Sequence, residues 1–273
     1  MHFETLQSIS LNGAAHKPND DRLGATARLA WVVDGATDMG LPGLLGEQGG
    51  AAWLASTASA AFAGATPPTL EETCLEVFAS IETSFHAQRR RELLGRWELP
   101  KAAFSAVQLV DGVLEVAWLA DCPVLLTSSH GTLWCTGEPD TSTEAAQALA
   151  LGHGIGAADS FSGAVLADRR AARSEENHQA LSPDAKASAA KTRFASFKVS
   201  PGDELLLMSD GFSSLVSDYC VYTAESLWDA VRKKGLAQLV QDIRAIERND
   251  AACLKYPRFK VSDDATALWL KVV

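Results

Sequence analysis

The chain has no paired cysteines to work with. Its five, Cys74, Cys122, Cys135, Cys220 and Cys253, are odd in number, widely spaced and form no Cys-x-x-Cys step. That spacing argues against a disulfide scaffold or a thiolate zinc site and suits free thiols in a reducing compartment. Long apolar runs are absent as well, so no membrane span is expected. The opening MHFETLQSIS carries an acid at position four and no apolar core, unlike a signal peptide, and a cytoplasmic location is expected. Positive charge is in deficit: 24 Lys and Arg against 34 Asp and Glu leave a net charge of -10. That balance excludes nucleic acid and anionic membranes as expected partners. The six histidines show no His-x-x-x-His or His-Glu-x-x-His spacing, which removes support for a zinc hydrolase. GHGIG (152–156) lacks the Gly-Lys-Ser/Thr of a phosphate loop, and GFSSL (211–215) lacks the second glycine of a nucleophile elbow.

What remains is a soluble-type composition, 47% hydrophobic and 21% charged over 273 residues, enough for one sizeable core. Residues 3–11 alternate loosely as a strand, and Arg28 to Val33 is continuously apolar, as in a strand buried on both faces. Helices are expected from Glu47 to Phe62 and from Leu70 to Leu94. The second has Cys74, Val77, Phe78, Ile81 and Phe85 at helical spacing and ends in the basic QRRRELLG, read as a solvated helix terminus. AAFSAVQLV and VLEVAWLAD flank Asp111-Gly112, a strong hairpin signal, and a second hairpin is expected to turn at His130-Gly131. Short helices are expected between Thr141 and Thr192, one of them started at Ser182-Pro183. Two strands then surround a Pro-Gly-Asp turn, two helices cover 224–233 and 236–247, and a strand runs from Ala265 to Val273. Hairpins separated by helix pairs predict an α+β fold: two packed antiparallel β-sheets flanked by helices, an α-β-β-α sandwich. A single domain over 1–273 is expected. The segment at about 157–192, poor in apolar residues, is expected to be its mobile, flap-like part.

Carboxylates gather at strand ends. Asp-Gly occurs three times, and only Asp111-Gly112 has strand-like sequence on both sides. At Asp34-Gly35 and Asp210-Gly211 an apolar strand delivers an acid to the sheet rim, and the chain then leaves through a glycine. Asp20-Asp21 lies shortly before the second strand and Asp263-Asp264 directly before the last. If those strands are neighbours, four or more like charges meet, and a divalent cation is the ordinary way to neutralise them. All-oxygen donors select magnesium or manganese over zinc.

The ordered set NDD, VVDG, LAD, LMSDG and SDDAT resembles the metal-dependent protein phosphatases of the 2C type, the PPM family, in its shorter bacterial form. The match in order and spacing runs from about His16 to Val273. The resemblance implies a phosphoprotein serine/threonine phosphatase using two Mg2+ or Mn2+ ions, with a third, weaker site. By the same resemblance Asp34 bridges two ions with the Gly35 carbonyl as a further ligand, Asp210 and Asp263 complete the first site, and Asp20 serves the second. Asp21 holds water beside the ions, and Asp121 belongs to the third site. The implied partner is a phosphorylated protein, the substrate of a serine/threonine kinase.

Four places depart from the pattern, one of them Ala36, where eukaryotic relatives often carry a His after the Asp-Gly step. The phosphate-anchoring arginine of many relatives corresponds to His16, which would take its role when protonated. Gly-Asp-Ser-Arg has become Ala120-Asp121-Cys122-Pro123, and Asp-Asn has become Asp263-Asp264. Every implied metal ligand survives, so the metal centre is better supported than substrate handling. A catalytically weak relative, acting as a metal-stabilised phosphoprotein-binding module, is the alternative.

Overall fold

The computed structural model describes residues 1–15, 17–66, 68–151 and 163–273; His16 and the GHGIG segment lie outside the described residues. Among the described residues ten strands make two five-stranded sheets, antiparallel throughout. Sheet I contains β1 (Phe3–Leu11), β6 (Val124–Ser128), β7 (Gly131–Trp134), β9 (Glu204–Met208) and β10 (Ala265–Val272), in the order β1-β10-β9-β6-β7. Sheet II contains β2 (Arg22–Ala25), β3 (Leu29–Ala36), β4 (Lys101–Val110), β5 (Val113–Leu119) and β8 (Arg193–Lys198), ordered as numbered. The expected α-β-β-α sandwich is what forms.

Burial explains the layering. Val32, Val107, Val116, Leu205, Leu207 and Leu268 point inward from the two sheets and make the central core. On the outer face of sheet II lie α1 (Gly50–Gly64) and α2 (Leu70–Gln88), which bury Trp53, Phe62, Phe78 and Ile81 against Phe104. On sheet I lie α6 (Asp210–Ser217), α7 (Ala224–Lys234) and α8 (Leu236–Asn249), which bury Phe212, Trp228 and Ile243. Strand β3 is buried along most of its length, as its continuous apolar run requires.

Several boundaries differ from expectation for local reasons. Helix α2 stops at Gln88 rather than Leu94, because Arg89 turns extended and the Arg90 N–H donates to the Leu44 carbonyl at 2.9 Å. The basic run beyond it is therefore no solvated helix end. Arg91 forks onto the buried Glu98 carboxylate at 2.7 and 2.9 Å. The β4–β5 turn uses Asp111 (φ 45°) and Gly112 (φ 86°), the paired positive φ of a type I′ turn. The second hairpin turns one residue early, at Ser129-His130, because Ser128 pairs with Gly131. The Pro-Gly-Asp turn carries the chain from β8 in sheet II to β9 in sheet I. Strand β2 and helix α6 were not expected.

Between β7 and β8 lie α3 (Ser142–Leu151), α4 (Gly163–Ser174) and α5 (Ala185–Lys191). The last starts at Asp184, whose side chain accepts the Ala187 N–H, rather than at Ser182. Leu181 is fully buried in the sheet II core and exchanges two backbone hydrogen bonds with Ala102. Among the described residues no helix is long and apolar enough to cross a membrane.

Candidate metal centre

Register brings the acids together. Arg22 pairs with Val33 in antiparallel β2–β3, so Asp21 faces Asp34 across the ladder. In sheet I, Ala267 pairs with Met208, which sets Asp263 and Asp264 beside the start of α6, where Asp210 sits in the first helical turn. The two sheets stack so that Asp34 and Asp210 act on one another, with Asp21, Asp121 and Asp263 in the same electrostatic neighbourhood. Asp34 lies inside β3, opposite Ala103, rather than at the strand's end.

The glycines that follow these acids serve close approach, not flexibility. A Cβ on Gly35 would lie 2.7 Å from the Asp20 carbonyl oxygen and 2.9 Å from that of Ala51. On Gly211 it would lie 2.0 Å from the Asp264 carbonyl oxygen. Each Asp-Gly step therefore marks a point where a second backbone crosses directly behind the acid.

Electrostatics in the cluster are unfavourable as they stand. Asp21 is 2% exposed, and no donor meets good hydrogen-bond geometry at either of its carboxylate oxygens, although Thr266 and Ser209 lie near enough to favour its charged form; Asp210 Oδ1 is likewise buried without a well-placed donor, beside Asp34. Burial, followed by the charge of Asp264, pushes Asp21 up to about 7. Asp20 rises to about 7 through burial, Asp264 and Asp38. Asp34 is held well above the usual carboxylate range by burial and by Asp21 and Asp210; Asp210 is raised by burial and by Asp263 and Asp121. Asp121 is solvent-exposed at the rim, yet surrounding protein and the charge of Asp263 raise it too.

The structure gives Asp264 a definite role and adds Asp38, Arg244 and Lys260, which the sequence patterns did not single out. Asp264 accepts the N–H of Gly13 at 2.7 Å and that of Asp20 at 2.6 Å, pinning the loop that presents Asp20. Asp38 accepts the Gly50 N–H at 2.5 Å and so caps α1 from a distance. Arg244 of α8 is buried with Glu247 at 2.7 Å and donates to the Asp263 carbonyl at 2.6 Å, fixing the backbone of that loop. Lys260 donates to both oxygens of Asp263 at 2.7 Å. Burial opposes its charge, but Asp263, Asp210 and Asp34 outweigh that and hold the ammonium above the usual lysine range. A Lys-x-x-Asp spacing was visible in the sequence, but such pairs are common on surfaces and point nowhere by themselves. A cleft of about 860 Å3 borders the cluster on the side of Asp20, Asp263 and Asp264, its walls also including Asp38, Lys17, Arg90 and Lys260.

Neither any protein-family model nor any curated protein sequence matches the chain. Solved structures do. The catalytic domain of the serine/threonine protein phosphatase PstP, in complex with two manganese ions, is 17% identical, with TM-score 0.59 over 100% of this chain and 99% of that one. The serine/threonine phosphatase of S. agalactiae is 14% identical, with TM-score 0.57 and full coverage of both chains. The PPM Ser-Thr phosphatase MsPP from Mycobacterium smegmatis is 18% identical, with TM-score 0.53 over 98% and 99%.

The fold is that of the PPM phosphatases.

Within this PPM fold, the donor set fits a hard divalent cation: carboxylate oxygens, several buried, some without a well-placed donor. It is not a finished cage. Among the described residues no three His, Cys, Asp or Glu side chains already stand close enough to hold an ion. Cys122 is no substitute nucleophile, since burial and the charges of Asp34 and Asp121 push its thiol far above its ordinary value.

Proposed function

We propose that this chain is a Mg2+- or Mn2+-dependent phosphatase that hydrolyses phosphoserine and phosphothreonine in proteins. The observation that carries this is the meeting of Asp21 and Asp34 from one sheet with Asp210 and Asp263 from the other, with oxygens buried and without well-placed donors. Unit charges 4 Å apart repel by about 1 kcal/mol in water and about 4 kcal/mol near a protein surface. Such a cluster is neutralised either by protons, which its raised acids hold more tightly, or by a bound cation, for which its buried oxygens are suited. Asp34, Asp210, Asp263 and Asp20 would hold the cation, with the Gly35 carbonyl beside Asp34. When bound, the divalent ion supplies positive charge to the phosphoryl oxygens and makes water a better nucleophile at neutral pH.

The chain's own groups do the rest. Asp21, buried across the β2–β3 ladder from Asp34, would use its two carboxylate oxygens to orient water by accepting its hydrogens. Asp264 holds the Asp20 backbone in place, and Arg244 does the same for Asp263. The cleft is open enough to receive a phosphorylated side chain on a protein, and Lys17 and Arg90 in its walls favour a dianion. A phosphoprotein made by a serine/threonine kinase is the substrate class this implies, and His16 remains proposed as a phosphate contact. Asp121, exposed at the rim, would hold a further, much weaker ion if one binds.

The second reading, a binding module with little turnover, is favoured by one observation: the Asp263 carboxylate is already engaged by Lys260. The test is hydrolysis of an aryl phosphate and of a phosphothreonine peptide, with and without Mn2+. Turnover that depends on Mn2+ is expected. Mn2+ binding without turnover above buffer would replace the phosphatase with the binding module.

A further inference from the structure

Lys260 is the cation already present in the acidic cluster. Its ammonium sits symmetrically on Asp263, 2.7 Å from each oxygen. Asp263 Oδ1 also accepts the Asp264 N–H at 3.0 Å. The carboxylate is therefore committed on both oxygens, unlike Asp21 and Asp210, which retain oxygens without a well-placed donor. The pair is 35% and 38% exposed in its side chains and opens to the cleft, so ions from solvent reach it without unfolding. The peptide between Lys260 and Asp263 is short, and the loop is anchored by Arg244 on the Asp263 carbonyl and by Asp264 on Gly13 and Asp20. An ammonium displaced from Asp263 would remain beside it. A dication arriving at Asp263 would thus lose to a tethered competitor and then sit next to that competitor's charge.

We propose that Lys260 is a tethered cation that occupies Asp263 in place of a divalent ion, closing the site Asp263 would share with Asp210, so that the chain binds one metal, at Asp34 and Asp20 with the Gly35 carbonyl, rather than two. This rests on the metal-centre reading above and specifies its stoichiometry. It also accounts for how the metal-free protein tolerates its acids: one permanent positive charge is built in next to them.

The experiment is titration of the full chain with Mn2+ by calorimetry, for wild type, Lys260→Gln and Lys260→Arg, with melting curves in EDTA. One ion is expected for wild type and for the arginine variant, which keeps the charge. Two are expected for Lys260→Gln, or a second-site affinity raised at least about tenfold, the scale of removing a positive charge a few ångströms from a dication. Lys260→Gln should also melt lower in EDTA at pH 8. Equal stoichiometry and affinity in wild type and Lys260→Gln overturns the proposal. If Lys260→Gln proves too unstable to titrate, amine labelling of wild type read by mass spectrometry decides. Lys260 should label as slowly with Mn2+ as without, and a rise on adding Mn2+ means the ion has displaced it and overturns the proposal. The two readings fail separately. A wild type that binds no Mn2+ while Lys260→Gln gains a site keeps Lys260 as the excluding cation and removes the metal-dependent phosphatase. No binding in any variant removes both.

Discussion

Asp34 is the residue on which the cluster turns, because it acts on acids from both sheets. Asp34→Asn removes a charge from the centre of the proposed metal site, and turnover of a phosphothreonine peptide should fall at least about a thousandfold, the scale of losing a principal electrostatic element. Its melting temperature in EDTA should not fall, since the substitution relieves repulsion. Asp121→Asn, at the exposed rim, should lower turnover much less. Ala120, just before it, adopts φ 68°, a left-handed conformation that suits glycine. Relieving about 1–2 kcal/mol of strain against about 0.4–1 kcal/mol of added chain freedom predicts that Ala120→Gly stabilises by roughly 0.5–1 kcal/mol, read as a higher urea midpoint. The acids were legible in the sequence because an apolar strand ending in a carboxylate is an unusual pattern that buried turns do not explain. Lys260 and Arg244 were not legible, nor was Asp264's role as an anchor, because these roles depend on which loops become neighbours across the fold.

Among elements, legibility followed length and periodicity. The apolar face of α2 and the hairpin with its Asp-Gly turn were readable because each carries its own repeat or turn chemistry. Strand β2 was not: RLGA has four residues, one a glycine, too few to show alternation. Helix α6 hid behind its Asp-Gly start and three serines, although Phe212, Leu215 and Val216 do share one face at helical spacing. Helix α8 contributes to the site at a distance through Arg244. Removing that side chain leaves Glu247 buried at 2% exposure without its partner and frees the Asp263 loop. Arg244→Ala should cost about 3–5 kcal/mol in urea unfolding and weaken Mn2+ binding in whatever fraction remains folded. The segment proposed as a flap should divide when probed by hydrogen exchange. Slow exchange is expected at Leu181 and through α5, which pack on the core, and faster exchange in α4, which buries few apolar side chains. Uniform protection from 163 to 192 would remove the flap.

At the scale of the whole molecule, protons and the proposed metal would compete for the same carboxylates. Asp20 and Asp21 are both raised from 3.8 to about 7, so the folded state holds their protons more tightly than the unfolded chain does. Their contribution favours folding below about pH 4 and is lost as pH rises to about 7. His178 acts oppositely: burial, then Lys101 and Arg173, lower it from 6.5 to about 4, so its contribution is lost as pH falls through that window. The difference in melting temperature between Mn2+ and EDTA cancels the histidine, which lies outside the proposed site. That difference should grow from pH 6 to pH 8, with Mn2+ affinity rising about tenfold or more as the acids deprotonate; a flat difference would mean that these acids do not meet the ion. The topology of sheet I has a further consequence, for the order in which the molecule is made. Strand β10, the last in sequence, lies between β1, the first, and β9. Until residues 265–272 are in place, β1 has no partner in its sheet and β9 keeps one edge open, while sheet II can assemble from β2 to β8 without them. A growing or truncated chain that stops short of β10 therefore displays unpaired edges that invite association with other chains. It also lacks the anchor that sets Asp263 beside Asp210, so the proposed ion could be captured at the shared rim only after β10 is in place.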